Sequence, residues 1–285
     1  MKKFFFLITL LTLSIVLSGQ DNTPVTQKDV LHFFETKTYV VLDDNPVSDF
    51  NFKIEEQVKK YWKVTPYEFI DQKTFHLKRT DPNNSFLVLS ETVFIEDNLQ
   101  ARYDFFSLLM GGNYSIIKSM PVLGAIPIGY TGAAQESSMY KLGAILKFLQ
   151  AHVYLLKNNP EILKNDNMFK YYNDSQKSLK DKTLYLIKEE QAPELDSKPE
   201  IGAIYPYKIQ FVSRTELEQA IDNNAENVVF LHKVGPEGTK KKARCFKLIL
   251  STNQELYYFD WHMISDKKPD GLLESDYKKI VKFDN

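Results

Sequence analysis

Five short matches recur in the same order in two stretches of the chain, and that order constrains the fold more than any other feature. Lys37-Thr38-Tyr39-Val40-Val41-Leu42 resembles Lys182-Thr183-Leu184-Tyr185-Leu186-Ile187. Pro66-Tyr67 answers Pro206-Tyr207, and the run at 86–89 answers the run at 228–231. Ala101-Arg102 and Ala243-Arg244 each precede an apolar run. Glu136-Ser137 and Glu274-Ser275 each open a stretch ending in Lys-Phe, at Lys147-Phe148 and Lys282-Phe283. Any one of these matches is weak, but their common order at similar intervals implies an internal duplication.

The repeating unit reads as alternating strands and helices. The β-branched and aromatic runs 38–42 and 183–187 are strands, and 67–70 and 207–212 are second strands. Ser48 can cap a helix that places Ile54, Val58, Tyr61 and Trp62 on one face, whereas its counterpart at 199–204 is short. Ser213 and Glu216 form a capping box ahead of Leu217, Ala220 and Ile221; the helix at 72–79 is weaker. Third strands follow at 86–90 and 228–232. Two further runs close each sheet, 103–109 with 114–117 and 245–250 with 256–259, the latter pair joined at Asn253-Gln254. Helical crossovers imply parallel pairing, and the final runs add an antiparallel hairpin. The expected fold is therefore α/β, with two tandem, duplicated domains. Each carries a mixed sheet, β-α-β-α-β followed by a β-hairpin and a closing helix. The expected boundaries are 1–19 for a signal peptide, 20–158 for the first repeat, 159–180 for a connector and 181–285 for the second. The closing helix of the first repeat, 139–156, is apolar nearly all round, which places it between the domains.

Lys2 and Lys3 precede an apolar run of about 14 residues, and Ser18-Gly19 before Gln20 fits a cleavage site. That run is shorter than the ~20 residues a membrane span requires. Residues 1–19 are thus expected to direct export to the periplasm or beyond. No transmembrane segment is expected, and no lipid anchor, because the cleavage point carries no cysteine. Cys245 is the only cysteine, so stability must come from a packed core rather than an intramolecular disulfide. Lys and Arg number 36 against 37 Asp and Glu, a balance that gives no general attraction to nucleic acid.

No zinc spacing, nucleophile elbow, phosphate loop or dinucleotide fingerprint occurs, so neither a metal nor a cofactor is expected. The most suggestive polar set is His232, Glu237, Cys245, Asp260 and His262, at or near strand ends of the second repeat. If these converge, a thiol could be activated by an imidazole and a carboxylate. The plainer reading is a small buried cysteine with histidines that satisfy backbone groups. Lys240, Lys241 and Lys242 with Arg244 form a basic hairpin tip, either a solvated loop or a contact for anionic glycan or lipid headgroups. The uncharged segment 120–134 reads as a long loop carrying Met120, Leu123, Ile126, Ile128 and Tyr130. Either the neighbouring domain covers it or it docks a partner.

Leu231-His232-Lys233-Val234-Gly235-Pro236-Glu237 and Leu256-Tyr257-Tyr258-Phe259 resemble a family of uncharacterised exported proteins from Gram-negative bacteria. The resemblance implies an exported protein and carries neither an activity nor a site residue. The functional expectation is a non-enzymatic binding or assembly component of the cell envelope, with another envelope protein as a candidate partner. A thiol- or histidine-dependent hydrolase is the alternative.

Overall fold

A computed structural model describes residues 23–95, 97, 99–130, 136–164, 168–175, 177–236 and 242–282. The expected signal peptide, and Glu237, Lys240 and Lys241, lie outside the described residues.

The first helix among the described residues is α1 (Gln27–Phe33), opened by a capping box between Thr26 and Asp29. It continues through β1 (Lys37–Val41), α2 (Asp49–Tyr61), β2 (Tyr67–Ile70), α3 (Gln72–Lys78), β3 (Asn84–Val93), β4 (Arg102–Met110) and β5 (Val122–Tyr130). The short α4 (Glu136–Met139) and the long α5 (Leu142–Asn158) close the first half. After α6 (Met168–Asp174) come β6 (Thr183–Leu186), α7 (Lys198–Gly202), β7 (Lys208–Phe211) and α8 (Arg214–Asp222). The second half ends with β8 (Val228–Val234), β9 (Arg244–Ser251), β10 (Leu256–Met263) and α9 (Glu274–Lys282). Ser48 caps α2 and the Ser213–Glu216 box caps α8, each satisfying amide groups that the first helical turn leaves bare.

The two five-stranded sheets share one topology. Their orders are β2-β1-β3-β4-β5 and β7-β6-β8-β9-β10. In each, the first strand pairs parallel with the second and third, and the last two strands add antiparallel. The helices match as well. In the first half α2 and α5 share a core with Val40, Leu87 and Leu108, while Phe75 of α3 packs on the opposite face with Tyr39, Phe86 and Val88. In the second half Ile201 of α7 and Tyr277 of α9 pack with Leu184, Leu186 and Leu231, while Leu217 and Ile221 of α8 lie on the other face with Phe230 and Leu248.

Two sequence expectations need correction. Residues 122–130, expected within a loop, form the edge strand β5, and 114–117 form no strand. Glycines, Pro127 and two register irregularities break the alternation that marks a strand. Proline is tolerated there because an edge residue has no neighbour awaiting its N–H. The second correction concerns the frame of the repeat. Laying Lys37-Thr38 over Lys182-Thr183 sets Val40 against Tyr185. Val40 faces α2 and α5, whereas Leu184 and Leu186, not Tyr185, face α7 and α9. The true frame differs by one residue, the slip that turns every side chain to the other face.

The halves share one core, with α5 at its centre. A Cβ on Gly143 would stand 2.4 Å from Gln57 Oε1 and 2.9 Å from the Tyr61 ring, so glycine lets α5 approach α2 closely. Lys147 of α5 donates to Ile221 O (2.9 Å) and Asn224 Oδ1 (2.8 Å) at the end of α8. Tyr61 donates to Asp222 Oδ1 at 3.0 Å. The β5 edge meets β8 through His232 Nε2 and Pro127 O, 2.7 Å apart. The opposite edge, β10, is closed by α6 of the connector. There Asn173 exchanges two hydrogen bonds with the Phe259 backbone, and Phe169 stacks on the Phe259 ring at 3.9 Å. These contacts cover β5 and β10, two of the four edge strands, and remove those templates for further strand pairing. Among the described residues, no helix is long and apolar enough to cross a membrane.

Candidate functional site

In open α/β sheets, ligand crevices form at the carboxyl ends of the strands where successive crossovers diverge. Here that point lies between β1 and β3, since α2 and α3 take opposite faces, and likewise between β6 and β8. The first half carries a recess to one side of that point, over β3, β4 and β5. This small recess of about 10 Å³, room for roughly one water molecule, is lined by Phe50, Leu89, Asp104, Ile128, Gly129 and Met139. Asp104 is its one ionisable side chain. It stands on β4 between Glu91 of β3 and Gly129 of β5, and a Cβ on Gly129 would come within 3.2 Å of its Oδ2. Glu91 is engaged with Arg102 at 2.9 Å. No side chain or backbone amide among the described residues hydrogen-bonds the Asp104 carboxylate. Loss of solvent raises its pKa above the usual range, and the Glu91 charge adds to the shift.

The second half fills the matching position. Ser85 pairs with Thr38 as Val229 pairs with Leu184, and an equal count along β3 and β8 reaches Glu91 and Gly235. The row Glu91–Asp104–Gly129 therefore corresponds to Gly235–Cys245–His262. The segment 264–273 lies across that row. Pro269 O accepts from His262 Nε2 at 2.8 Å, and Gly271 O accepts from the Cys245 thiol at 3.8 Å. Asp270 Oδ1 sits 3.0 Å from where a Gly235 Cβ would be. Gly271 holds φ +117°, and a side chain there would strike the Gln191 backbone, so only glycine suits this crossing.

Three buried ion pairs fix the cover. Lys233 binds Asp270 at 2.6 Å, Lys247 binds both oxygens of Asp276 at 2.7 and 2.8 Å, and Lys141 binds Glu190 at 2.5 Å. Lys141 comes from the first half, and Tyr140 donates to the same Glu190 oxygen at 3.2 Å. Burial lowers the Lys141 pKa; Glu190 opposes the shift, while Lys233 and Arg214 reinforce it. Glu190 Oε2 and Asp270 Oδ1 are buried with no hydrogen-bond partner among the described residues.

The structure divides the polar set singled out in the sequence. Cys245 and His262 are cross-strand neighbours on the α9 face, but His232 lies on the opposite face of the sheet, bonded to Pro127. Thiol and imidazole each bond a backbone carbonyl rather than each other. Burial raises the Cys245 pKa, and it lowers those of His262 and His232, the latter to about 3 with help from Lys141. An activated thiol requires the reverse shifts. Asp260 is bonded to Lys279 and, at 3.1 Å, to Tyr258. Arg244, expected at a basic hairpin tip, is buried. It grips Asp97 through two bonds of 2.7 and 2.8 Å, with its guanidinium 3.7 Å from the Phe94 ring and 4.2 Å from Trp261. Bidentate pairing and aromatic faces make that burial tolerable. Lys242 is exposed.

Met120, Leu123, Ile126, Ile128 and Tyr130, offered as a docking surface, are all buried. Leu123, Ile126, Ile128 and Tyr130 belong to the core shared by the halves, and Met120 to the cluster beneath α3. Sequence reasoning missed Asp104, Lys141, Glu190, Lys233 and Asp270. Asp104 and Lys141 did carry a signal, each a lone charge beside an apolar run. No group of His, Cys, Asp and Glu among the described residues could hold a metal ion. Comparison of the chain with protein-family models, curated proteins and solved structures finds no match.

Proposed function

We propose that this protein is an exported component of the cell envelope that works by binding rather than catalysis. Asp104 holds a small cationic or hydrogen-bond-donating group of its ligand. The observation that carries this reading is the Asp104 carboxylate, without a hydrogen-bond partner among the described residues, in a small apolar recess at the carboxyl end of β3. A carboxylate drawn out of water without a partner is costly, and a ligand ammonium or amide donor would offset that cost. The recess has room only for the donor itself beside Phe50, Leu89, Ile128 and Met139, so any hydrocarbon stem would run outward from it. The hydrolase alternative has less support, because Cys245 and His262 each donate to a carbonyl and neither is shifted towards its reactive form.

Thermal-shift measurement with short alkylamines and alkylguanidines tests the proposal. At least one such compound is expected to raise the melting temperature of the wild type and leave Asp104→Asn unmoved. If none acts on the wild type, or if the variant responds equally, the reading fails.

A further inference from the structure

We infer that the end of the molecule around the Asp97–Arg244 clamp is a docking face for an anionic lipid bilayer. This does not depend on the Asp104 pocket. The clamp joins the β3–β4 connection of the first half to β9 and β10 of the second. Arg244 is held between Phe94 and Trp261 and carries Asp97 in a two-point bond. Three apolar side chains close to the clamp along the chain or in contact with it are exposed. Ile95, next to Phe94, is 66% exposed; Leu99, two residues beyond Asp97, is 49% exposed; Trp261 is 40% exposed. An isolated exposed leucine means little, but Trp261 contacts Arg244, and Ile95 and Leu99 each lie two residues from the Asp97 that Arg244 grips, which brings all three to one end of the molecule. Tryptophan with aliphatic neighbours is the composition that sits at the boundary between headgroups and acyl chains.

The charges around the patch select the partner. Lys242 precedes Arg244 on the same strand line, and its N–H donates to Ile264 O, which brings it beside the turn carrying Lys267 and Lys268. All three lysines are exposed, and none is paired with a carboxylate among the described residues. The nearby Asp97 and Asp270 are neutralised by Arg244 and Lys233. Among the described residues here, the three lysines outnumber the intervening Asp266. A whole-chain balance near zero hides this local excess. Apolar tips ringed by lysines match an anionic membrane surface, where each lysine strengthens attraction about fivefold. A neutral protein partner would gain nothing from the lysines, and a soluble polyanion would gain nothing from Ile95, Leu99 and Trp261.

The test is co-sedimentation of the mature chain with vesicles of phosphatidylcholine, with and without phosphatidylglycerol. The protein is expected to partition onto the phosphatidylglycerol vesicles, to leave them as salt is raised, and to ignore pure phosphatidylcholine. The triple variant Lys242→Glu, Lys267→Glu, Lys268→Glu is expected to bind at least tenfold more weakly. Ile95→Ser with Leu99→Ser is expected to weaken binding at low salt too. All five positions are exposed, so both variants should melt with the wild type. The inference is overturned if the wild type ignores anionic vesicles, if lysine reversal leaves partitioning unchanged, or if both vesicle types bind equally. Capture by a soluble polyanion that is indifferent to Ile95→Ser and Leu99→Ser also overturns it.

Discussion

The same position is built in opposite ways in the two sheets. In the first, the end of the closing-helix face carries Asp104 beside Gly129, and among the described residues nothing hydrogen-bonds the half-buried carboxylate. In the second, the equivalent Cys245 and His262 lie beneath Pro269, Asp270 and Gly271, which Lys233 ties down. One architecture therefore supplies two kinds of crevice. Where carbonyls and ion pairs fill it, the site adds rigidity and offers no free group. Where it stays open, a single carboxylate is left to meet a partner. The pairing of these halves also explains Lys141, which begins the central helix of the first half yet makes its bond to Glu190 in the second.

The largest expected effect comes from breaking that bond. Lys141→Met leaves Glu190 buried without its cation and should destabilise the protein by about 3–5 kcal/mol, read by urea unfolding. Lys141→Met combined with Glu190→Leu should recover much of the loss. A double variant as unstable as the single one would assign the cost to packing instead. Next in size, Leu123→Ala or Ile126→Ala should each cost about 2–5 kcal/mol, as for any fully buried aliphatic side chain. Unchanged stability would return the β5 strand to the role of an external surface.

Acid should weaken the shared core by a comparable amount. His152 on α5 is buried, bonded to Tyr172 at 2.8 Å, and burial takes its pKa from near 6.5 down to about 4. As pH falls through 6.5 the unfolded chain takes up a proton that the folded chain refuses. The contribution of His152 is therefore intact above pH 6.5, declines between 6.5 and 4, and is lost below; the full loss is roughly 3 kcal/mol. His232 acts in the same sense and extends the decline to about pH 3. Urea midpoints across this range should fall, and His152→Gln should flatten the curve. A midpoint independent of pH would contradict the buried, neutral assignment. The smallest effect is at Asp104. Its raised pKa means the charged form costs stability above the ordinary carboxylate range near 4. Asp104→Asn should thus raise the melting temperature slightly at neutral pH and leave it unchanged below about pH 4.

Much of the fold was legible because it rests on local signals. Ser48, Ser213 and Glu216 announce helices by capping chemistry, and Gln254 marks the β9–β10 turn with φ +95°. The apolar circumference of α5 gave its place between the halves. Strand β5 was hidden because glycine, proline and bulges erase period-two alternation. The site was harder to read for a different reason. Asp104 owes its chemistry to Phe50 and Met139, brought in by α2 and α4, and no spacing along the chain encodes that meeting. His232 shows the converse failure. It shares a sheet with Cys245, yet its register sends it through to the opposite face, a distinction one residue wide.

The comparison between the two crevices is tested most directly by one titration. Calorimetry of the best-binding alkylamine is run against the wild type, Asp104→Asn and Cys245→Ala. Binding should vanish in Asp104→Asn, whose fold is intact, and persist unchanged in Cys245→Ala. Binding that survives Asp104→Asn, or is lost in Cys245→Ala, would place the ligand elsewhere and contradict the account.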